Sequence, residues 1–234
     1  MTEYPLYVES GPKRRKTMVH VLDLLGCIAN GPTTKASLDA TPDAIRNYLR
    51  FLHRHGDAVK PDASFATKVV QHVMEGTWLG RGDPDPGFAA DFQPLTAKDY
   101  ATYLKRMSWL EADLLQIARD TPPKQLITQP ESGGRPIRRI LEHLAGAHYA
   151  YLKSPLSKPK GLSQALRLVE EGPGLPAALA DFWRMATERL EAITEAEHSA
   201  MVQHGVKTWS ARRAFRRMLE HDWEHLAELS RRFG

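Results

Sequence analysis

The sequence predicts an α+β protein with two domains: a small N-terminal α/β module over residues 1–94 and an all-α four-helix bundle over residues 95–234. Two observations support this prediction. In the first part, short β-branched and aromatic runs are separated by turn residues, whereas from residue 95 the apolar residues recur at helical spacing. Between the two patterns lies the segment RGDPDPG, whose glycines and prolines are typical of a turn or a linker.

The N-terminal module begins with two predicted strands, YPLYVES and TMVHVLDLL, joined by the turn GPKRRK. A helix is predicted after GCIANG, ending at Gly56, because apolar residues there share one helical face: Leu38, Ile45, Leu49 and Leu52. Pro42 lies inside this segment and favours a late or irregular helix start, since proline removes a helical hydrogen-bond donor. ATKVVQHVMEGTWLG is predicted to form a further strand.

Four long helices are predicted after residue 95. The first begins at Thr96, which with Asp99 approximates a capping box, and ends at TPPK. The second covers about residues 136–151, the third starts at Pro176 and the fourth covers about residues 210–232, with a short helix over SQALRLVEEG as a connection. Four long helices with one long connection indicate a four-helix bundle.

Composition excludes several classes of protein. The chain has 42% hydrophobic residues, so it is not disordered, and no apolar run is long enough to cross a bilayer. Cys27 is the single cysteine, which excludes an intrachain disulfide, and MTEYPLYVES lacks the order of a secretory signal. We therefore expect a cytoplasmic protein with no membrane segment. The net charge of +4 comes mostly from arginines on helix faces, so nucleic acid is not an expected partner.

The segment DLLGCIANGPTT is similar to the Asp-Leu-x-Gly-Cys-x-Ala-x-Gly-x-Thr turn of HicB-like antitoxin domains, and the likeness covers about the first 60 residues. Leu25 stands where that family usually has proline. Gly26 and Gly31 are expected to adopt positive φ angles, and Cys27 to be a small buried residue. The resemblance implies an interaction module of the antitoxin type, and the alternative is a β-sheet module used for packing or dimerisation, so a protein partner or a homodimer is expected.

The fourth predicted helix carries a histidine pair in MLEHDWEHLAEL. His221 and His225 are four residues apart and share a face with Met218 and Leu229, the face expected to turn toward the core. Residues at this spacing have Cβ atoms about 5 to 6 Å apart, so two imidazoles can reach one metal ion. A third ligand must come from a facing helix, where RRILEHLAGAHYAYL offers His143 and His148.

His143 lies on the same apolar helix face as Ile140, whereas His148 is expected to be packed in the core or to lie at its edge. ILEHLAGAHYAYL and RRMLEHDWEHLAEL together resemble the DinB-like family of four-helix, metal-binding proteins over about residues 95–234. In that family one histidine of the second helix and an i,i+4 pair of the last helix bind a divalent metal, and His143, His221 and His225 match those positions. The resemblance implies a metal-dependent transferase or hydrolase, with thiol-dependent transfer as the best-known activity.

Other interpretations of the histidines stay open. HDWEH also fits the H-x-x-E-H pattern of inverted zinc peptidases, but only nine residues follow His225, and Glu224 would lie about 100° round the helix from it. Core histidines held by hydrogen bonds without a metal are a second alternative. A non-catalytic, metal-stabilised binding or regulatory protein is a third.

Imidazole ligands suit zinc and nickel, which we expect, and also iron. A small-molecule substrate is expected, and because Cys27 has no evident activating base, a low-molecular-weight thiol or water from solution should act as nucleophile. Glu142, Asp222 or Glu224 are expected to orient the ligand histidines. A set of arginines is expected to be a solvated helix face or a basic rim for an anionic substrate: Arg138, Arg139, Arg212, Arg213, Arg216 and Arg217.

Overall fold

A computed structural model of the chain describes residues 1–82, 87–131, 133–205 and 207–233. The chain divides into two compact units, Met1–Gln93 and Pro94–Gly234. The first is built around a β-sheet and the second is almost entirely helical, which confirms the predicted α+β class. Within the described ranges, no helix has the length and apolar character needed to cross a membrane.

The first unit contains a four-stranded sheet in the order β3-β2-β1-β4. Its strands are β1 (Thr2–Ser10), β2 (Arg15–His20), β3 (Ile28–Thr33) and β4 (Phe65–Val73). The β1–β2 and β2–β3 pairs are antiparallel, whereas β4 pairs with β1 in parallel, with α1 (Thr34–Arg54) lying in the long connection that parallel pairing requires. Leu6, Val8 and Val19 are buried in this unit together with Ile45 and Leu52 of α1.

The start of α1 differs from the prediction. The helix begins at Thr34, and the Thr33 hydroxyl caps it by accepting a hydrogen bond from the Ala36 amide at 3.1 Å. Pro42 lies inside the helix, so the expected late start is wrong. The cap and the packing of Ser37, whose hydroxyl donates to the Thr17 carbonyl oxygen at 2.8 Å, outweigh the loss of one helical donor.

The two glycines of the segment DLLGCIANGPTT differ from each other in backbone conformation. Gly26 has a φ of +109°, and a Cβ there would lie 2.3 Å from the Tyr48 hydroxyl oxygen, so glycine is required. Gly31 does not adopt a positive φ, and that prediction is wrong. It lies in β3 where α1 approaches closely, since a Cβ would come within 2.9 Å of the Ser37 hydroxyl oxygen. Cys27 is fully buried, as expected.

The second unit contains four long helices: α2 (Ala97–Asp120), α4 (Ile137–Lys153), α6 (Leu175–Glu191) and α8 (Ala211–Phe233). Each begins within one residue of its predicted start. Shorter helices connect them: α3 (Pro123–Ile127), α5 (Leu162–Glu171) and α7 (Glu195–Ser199). Helices α2 and α4 each contact both α6 and α8, so the four long helices share one core. A small hairpin that was not predicted, β5 (Val202–His204) and β6 (Lys207–Trp209), precedes α8.

Candidate metal centre

Three histidines from two helices meet in the second unit. His143 comes from the middle of α4, and His221 and His225 come from successive turns of α8. One ring nitrogen of each lies within 4.8 Å of those of the other two. Within the part of the chain that the structure describes, this is the group of histidine, cysteine and carboxylate side chains close enough to hold one metal ion. The structure thus brings together the three residues selected from the sequence.

The imidazole rings face one another closely. The Nε2 atoms of His143 and His221 are 3.0 Å apart, and the ring centres of His221 and His225 are 4.9 Å apart. Zinc binds histidine nitrogen at about 2.0 to 2.1 Å, so two ligands of a tetrahedral ion lie about 3.3 Å apart. The Nε2–Nε2 distance is therefore close to that of two ligands of one ion. The His143 ring is partly buried in the cluster and keeps an edge exposed to solvent, which gives the cluster an open side.

Two of the three histidines are held in the neutral form. Burial, the Arg135 charge and His225 lower the pKa of His143 to about 4. Burial, His225 and the Arg217 charge lower the pKa of His221 well below its usual range. Neutral imidazole is the form that binds metal, because the ligand nitrogen must keep its lone pair. At neutral pH these two histidines therefore present lone pairs without first losing protons.

The lowered pKa gives a testable pH dependence. In the metal-free protein, the His143 imidazole should titrate with a midpoint at about 4, because the ring is partly buried and protonation would place a charge beside Arg135 and His225. The unfolded chain then binds this proton near pH 6.5, so stability should fall as the pH drops from 6.5 toward 4. The His143 Cε1 proton shift in an NMR titration measures the midpoint. A midpoint near 6.5 would contradict the electrostatic account.

His225 is oriented by a carboxylate that the sequence prediction missed. Its Nδ1 lies 2.9 Å from an Oε2 atom of Glu228, three residues further along α8. Because a carboxylate accepts hydrogen bonds, Nδ1 carries the proton and Nε2 keeps its lone pair. Glu228 also pairs with Arg232, which in turn donates to the Arg135 carbonyl oxygen at 2.7 Å. These contacts connect the last turns of α8 to the segment that precedes α4.

We expect Glu228→Gln to weaken metal binding by about 10- to 100-fold, the usual effect of removing a carboxylate that orients a ligand histidine. The glutamine side chain has the shape of the Glu228 carboxylate but lacks the negative charge that holds the proton on Nδ1 of His225. Competition with a chromogenic chelator measures the affinity. Glu188→Gln is a matched control, since Glu188 pairs with Arg184 on the exposed surface of α6. Equal affinities for the Glu228 variant and the control would exclude the orienting role.

Two of the residues expected to orient the histidines have other partners, and this corrects the prediction. Glu142 accepts hydrogen bonds from Arg138 at 2.7 Å and from Arg139 at 2.8 Å. Asp222 contacts His148 through both oxygens, at 2.8 and 2.9 Å from Nε2. The predicted carboxylates directly adjoin the histidines in sequence and so did not include Glu228, although its i,i+3 spacing from His225 indicates a contact on the same helix face.

His148 is a packed residue of the helical core. It is fully buried, and it lies with Asp222 near Glu111 and Trp183. Burial and the Asp222 charge raise the pKa of Glu111 to about 8, and its Oε2 accepts a hydrogen bond from the Thr187 hydroxyl at 3.1 Å. The four long helices contribute one or more residues each to this polar cluster. His148 therefore fits the role of a core histidine that the sequence assigned to it.

The arginines of α8 differ from the expected solvated face. Arg213, Arg216 and Arg217 are at most 3% exposed. Arg213 lies over the Trp209 ring with its Cζ atom 4.7 Å from the ring centre, and Arg216 pairs with Glu220 at 3.0 Å. The first half of α8 is buried on almost every side, so side chains that a helical projection places outward are inside the structure.

The second unit matches a known protein family. A model described as the DinB superfamily matches residues 106–229, slightly more than half of the chain and a range that includes all three histidines. The match lies wholly within the second unit. No curated protein and no solved structure matches the chain.

Proposed function

The chain belongs to the DinB superfamily, and on this premise we propose that it binds a divalent metal ion through His143, His221 and His225 and uses it in a transferase or hydrolase reaction. The observation that carries the proposal is the convergence of three imidazole nitrogens within 4.8 Å. We further propose that α2, α4, α6 and α8 form a DinB-like four-helix bundle over residues 95–234. The ion lies between α4 and α8 in this proposal.

The donor set determines which chemistry fits. Three neutral imidazoles suit zinc or nickel, and iron as well. When bound, such an ion acts as a Lewis acid and lowers the pKa of a water or thiol that it coordinates. Three protein ligands leave further coordination positions, as in catalytic rather than structural zinc sites.

The residues of the chain have separate roles in this proposal. His143 and His221 supply lone pairs in their neutral form, and Glu228 fixes the Nδ1 proton of His225. The exposed edge of His143 gives access from solution. Cys27 is fully buried and cannot reach solvent, so the nucleophile comes from solution as a low-molecular-weight thiol or water. The substrate is a small electrophile.

Metal content and activity test the proposal together. Protein purified without a histidine tag should contain about one divalent ion per chain by elemental analysis. Metal-loaded protein should consume an electrophile or ester, with the rate raised by an added thiol and abolished by chelation. The assay compares apo and loaded protein against a panel of electrophiles, with and without thiol. Activity that persists in the apo protein would refute the catalytic scheme.

A second candidate function is a metal-stabilised binding or regulatory protein with a HicB-like interaction module over residues 1–94. It is favoured by exposed apolar residues on and after the edge strand β4: Val69, Val70, Met74 and Trp78. Metal binding without activity across the whole panel would support this function. Light scattering of the full-length protein tests the homodimer, and a monomeric mass together with no captured partner would count against an interaction role.

A further inference from the structure

A permanent positive charge lies one helical turn from the histidine pair. Arg217, His221 and His225 are spaced by four residues on α8, so they lie along one face of the helix. The Arg217 side chain is 4% exposed, and a guanidinium stays charged at any physiological pH. Its charge contributes to the lowered pKa of His221.

Tyr151 and Glu220 hold this guanidinium in place. The Arg217 Cζ atom lies 5.7 Å from the centre of the Tyr151 ring, and the two side chains are hydrogen-bonded. The Tyr151 ring centre lies 6.2 Å from that of His221. Glu220 pairs with Arg217 at 3.6 Å. The charge is therefore fixed on the His221 side of the cluster and cannot swing out to solvent.

The ligands themselves supply no negative charge. All three are histidines, and three of the nearby carboxylates have basic partners of their own. Glu228 pairs with Arg232, Glu142 with Arg138, and Asp222 with His148. A divalent ion in this cluster would keep its full double charge beside the Arg217 guanidinium. An anion is then favoured over a neutral molecule as the additional ligand.

We propose that Arg217 is a specificity-determining residue that selects a small anion, a thiolate or carboxylate group, as the additional ligand of the metal centre. This inference rests on the proposed function and names the class of molecule that the site accepts. The charge acts electrostatically from its fixed position beside His221, so it should strengthen the binding of anions and leave that of neutral donors unchanged.

Cobalt-substituted full-length protein gives a readout independent of catalysis, because its visible absorption changes when an added ligand binds. The wild type is titrated with azide and acetate as anions, with mercaptoethanol as a thiol, and with imidazole as a neutral donor. Arg217→Gln should weaken azide and acetate binding by roughly 10-fold or more, leave imidazole binding within about 2-fold, and keep the cobalt affinity. Arg217→Lys, which keeps the charge, should retain most of the anion affinity.

Arg189→Gln is a matched control, since Arg189 is also an ion-paired and largely buried arginine of the second unit, with a side chain 13% exposed. It should leave every titration unchanged. Loss of azide and imidazole binding to the same extent in Arg217→Gln, or no loss of either, would overturn the proposal. Weaker mercaptoethanol binding in Arg217→Gln, together with the weaker azide and acetate binding, would support thiolates as members of the ligand class.

Arg217→Gln can fail to fold, because Arg217 is buried and paired. Tyr151→Phe is then the variant to test. It removes the hydroxyl that holds the Arg217 guanidinium, so it should weaken azide binding severalfold and leave imidazole binding unchanged. Unchanged azide binding in this variant would overturn the role of Arg217. Wild-type protein that takes up no cobalt would overturn the metal centre itself, and the role of Arg217 with it. Cobalt uptake with equal azide affinity in all variants would overturn the role of Arg217 alone.

Discussion

Replacing His221 or His225 with alanine is expected to remove nearly all metal binding while the protein stays folded. Loss of a direct ligand should exceed the 10- to 100-fold effect of losing an orienting carboxylate, so we expect more than about 100-fold weaker binding. The fold should survive because the apolar core of the second unit does not depend on either ring. Elemental analysis and circular dichroism measure the two properties.

His53→Ala is the matched control for these variants, because His53 is an exposed histidine of α1 and lies outside the cluster. The substitution removes one of the ten histidines and leaves the sequence of the second unit unchanged. Full metal occupancy in both His221→Ala and His225→Ala would place the metal site elsewhere. His143→Ala should also weaken binding, and a variant that binds as tightly as the wild type would remove His143 from the ligand set.

The ligand candidates could be found from sequence because their signals are local. The i,i+4 spacing of His221 and His225 fixes their common face whatever surrounds the helix, and His143 follows from the apolar stripe that it shares with Ile140. The contact of Glu228 with His225 could have been predicted for the same reason, since the two residues are three positions apart on one helix. The polar cluster around His148 could not be predicted from the sequence, because His148 and Asp222 are more than 70 positions apart. Only the packing of the four helices brings them together.

The limits of the fold prediction have a similar cause. The long helices were located by periodicity and caps, as at Ser210, whose hydroxyl accepts a hydrogen bond from the Arg213 amide at 3.0 Å. The strands β5 and β6 have three residues each, too few to show a period of two. The burial of Arg213 and Arg216 could not be predicted from the sequence either. A helical projection shows which residues share a face of α8, but not which other elements pack against that face.

Breaking the buried pair of Asp222 and His148 is expected to have the largest effect on stability. Both side chains have no exposed surface, and Asp222 meets the His148 Nε2 with both oxygens. Burial alone would lower the pKa of His148, but attraction to Asp222 and the hydrogen bond raise it. Asp222→Ala leaves His148 without its partner, so we expect a loss of about 3 to 5 kcal/mol in the free energy of unfolding.

Denaturant unfolding followed by tryptophan fluorescence suits this measurement, because four of the five tryptophans lie in the second unit: Trp109, Trp183, Trp209 and Trp223. Asp181→Ala is the control, since Asp181 is exposed on α6 and its contact with Arg184 is 3.9 Å long. We expect the control to lie within about 0.5 kcal/mol of the wild type. A loss below about 1 kcal/mol for Asp222→Ala would show that the pair contributes little net stability.

The same pair also predicts a pH dependence with a definite sign. A histidine whose folded pKa is raised stabilises the protein fully below its unfolded pKa near 6.5, and that stability is lost as the pH rises through the folded pKa. Asp222→Asn should remove this decline while keeping the shape of the side chain. Because Asp222 adjoins His221, metal affinity must be measured in the same variant. Tight metal binding in a destabilised Asp222→Asn protein would separate the structural pair from the metal centre, whereas lost binding at unchanged stability would make Asp222 part of that centre.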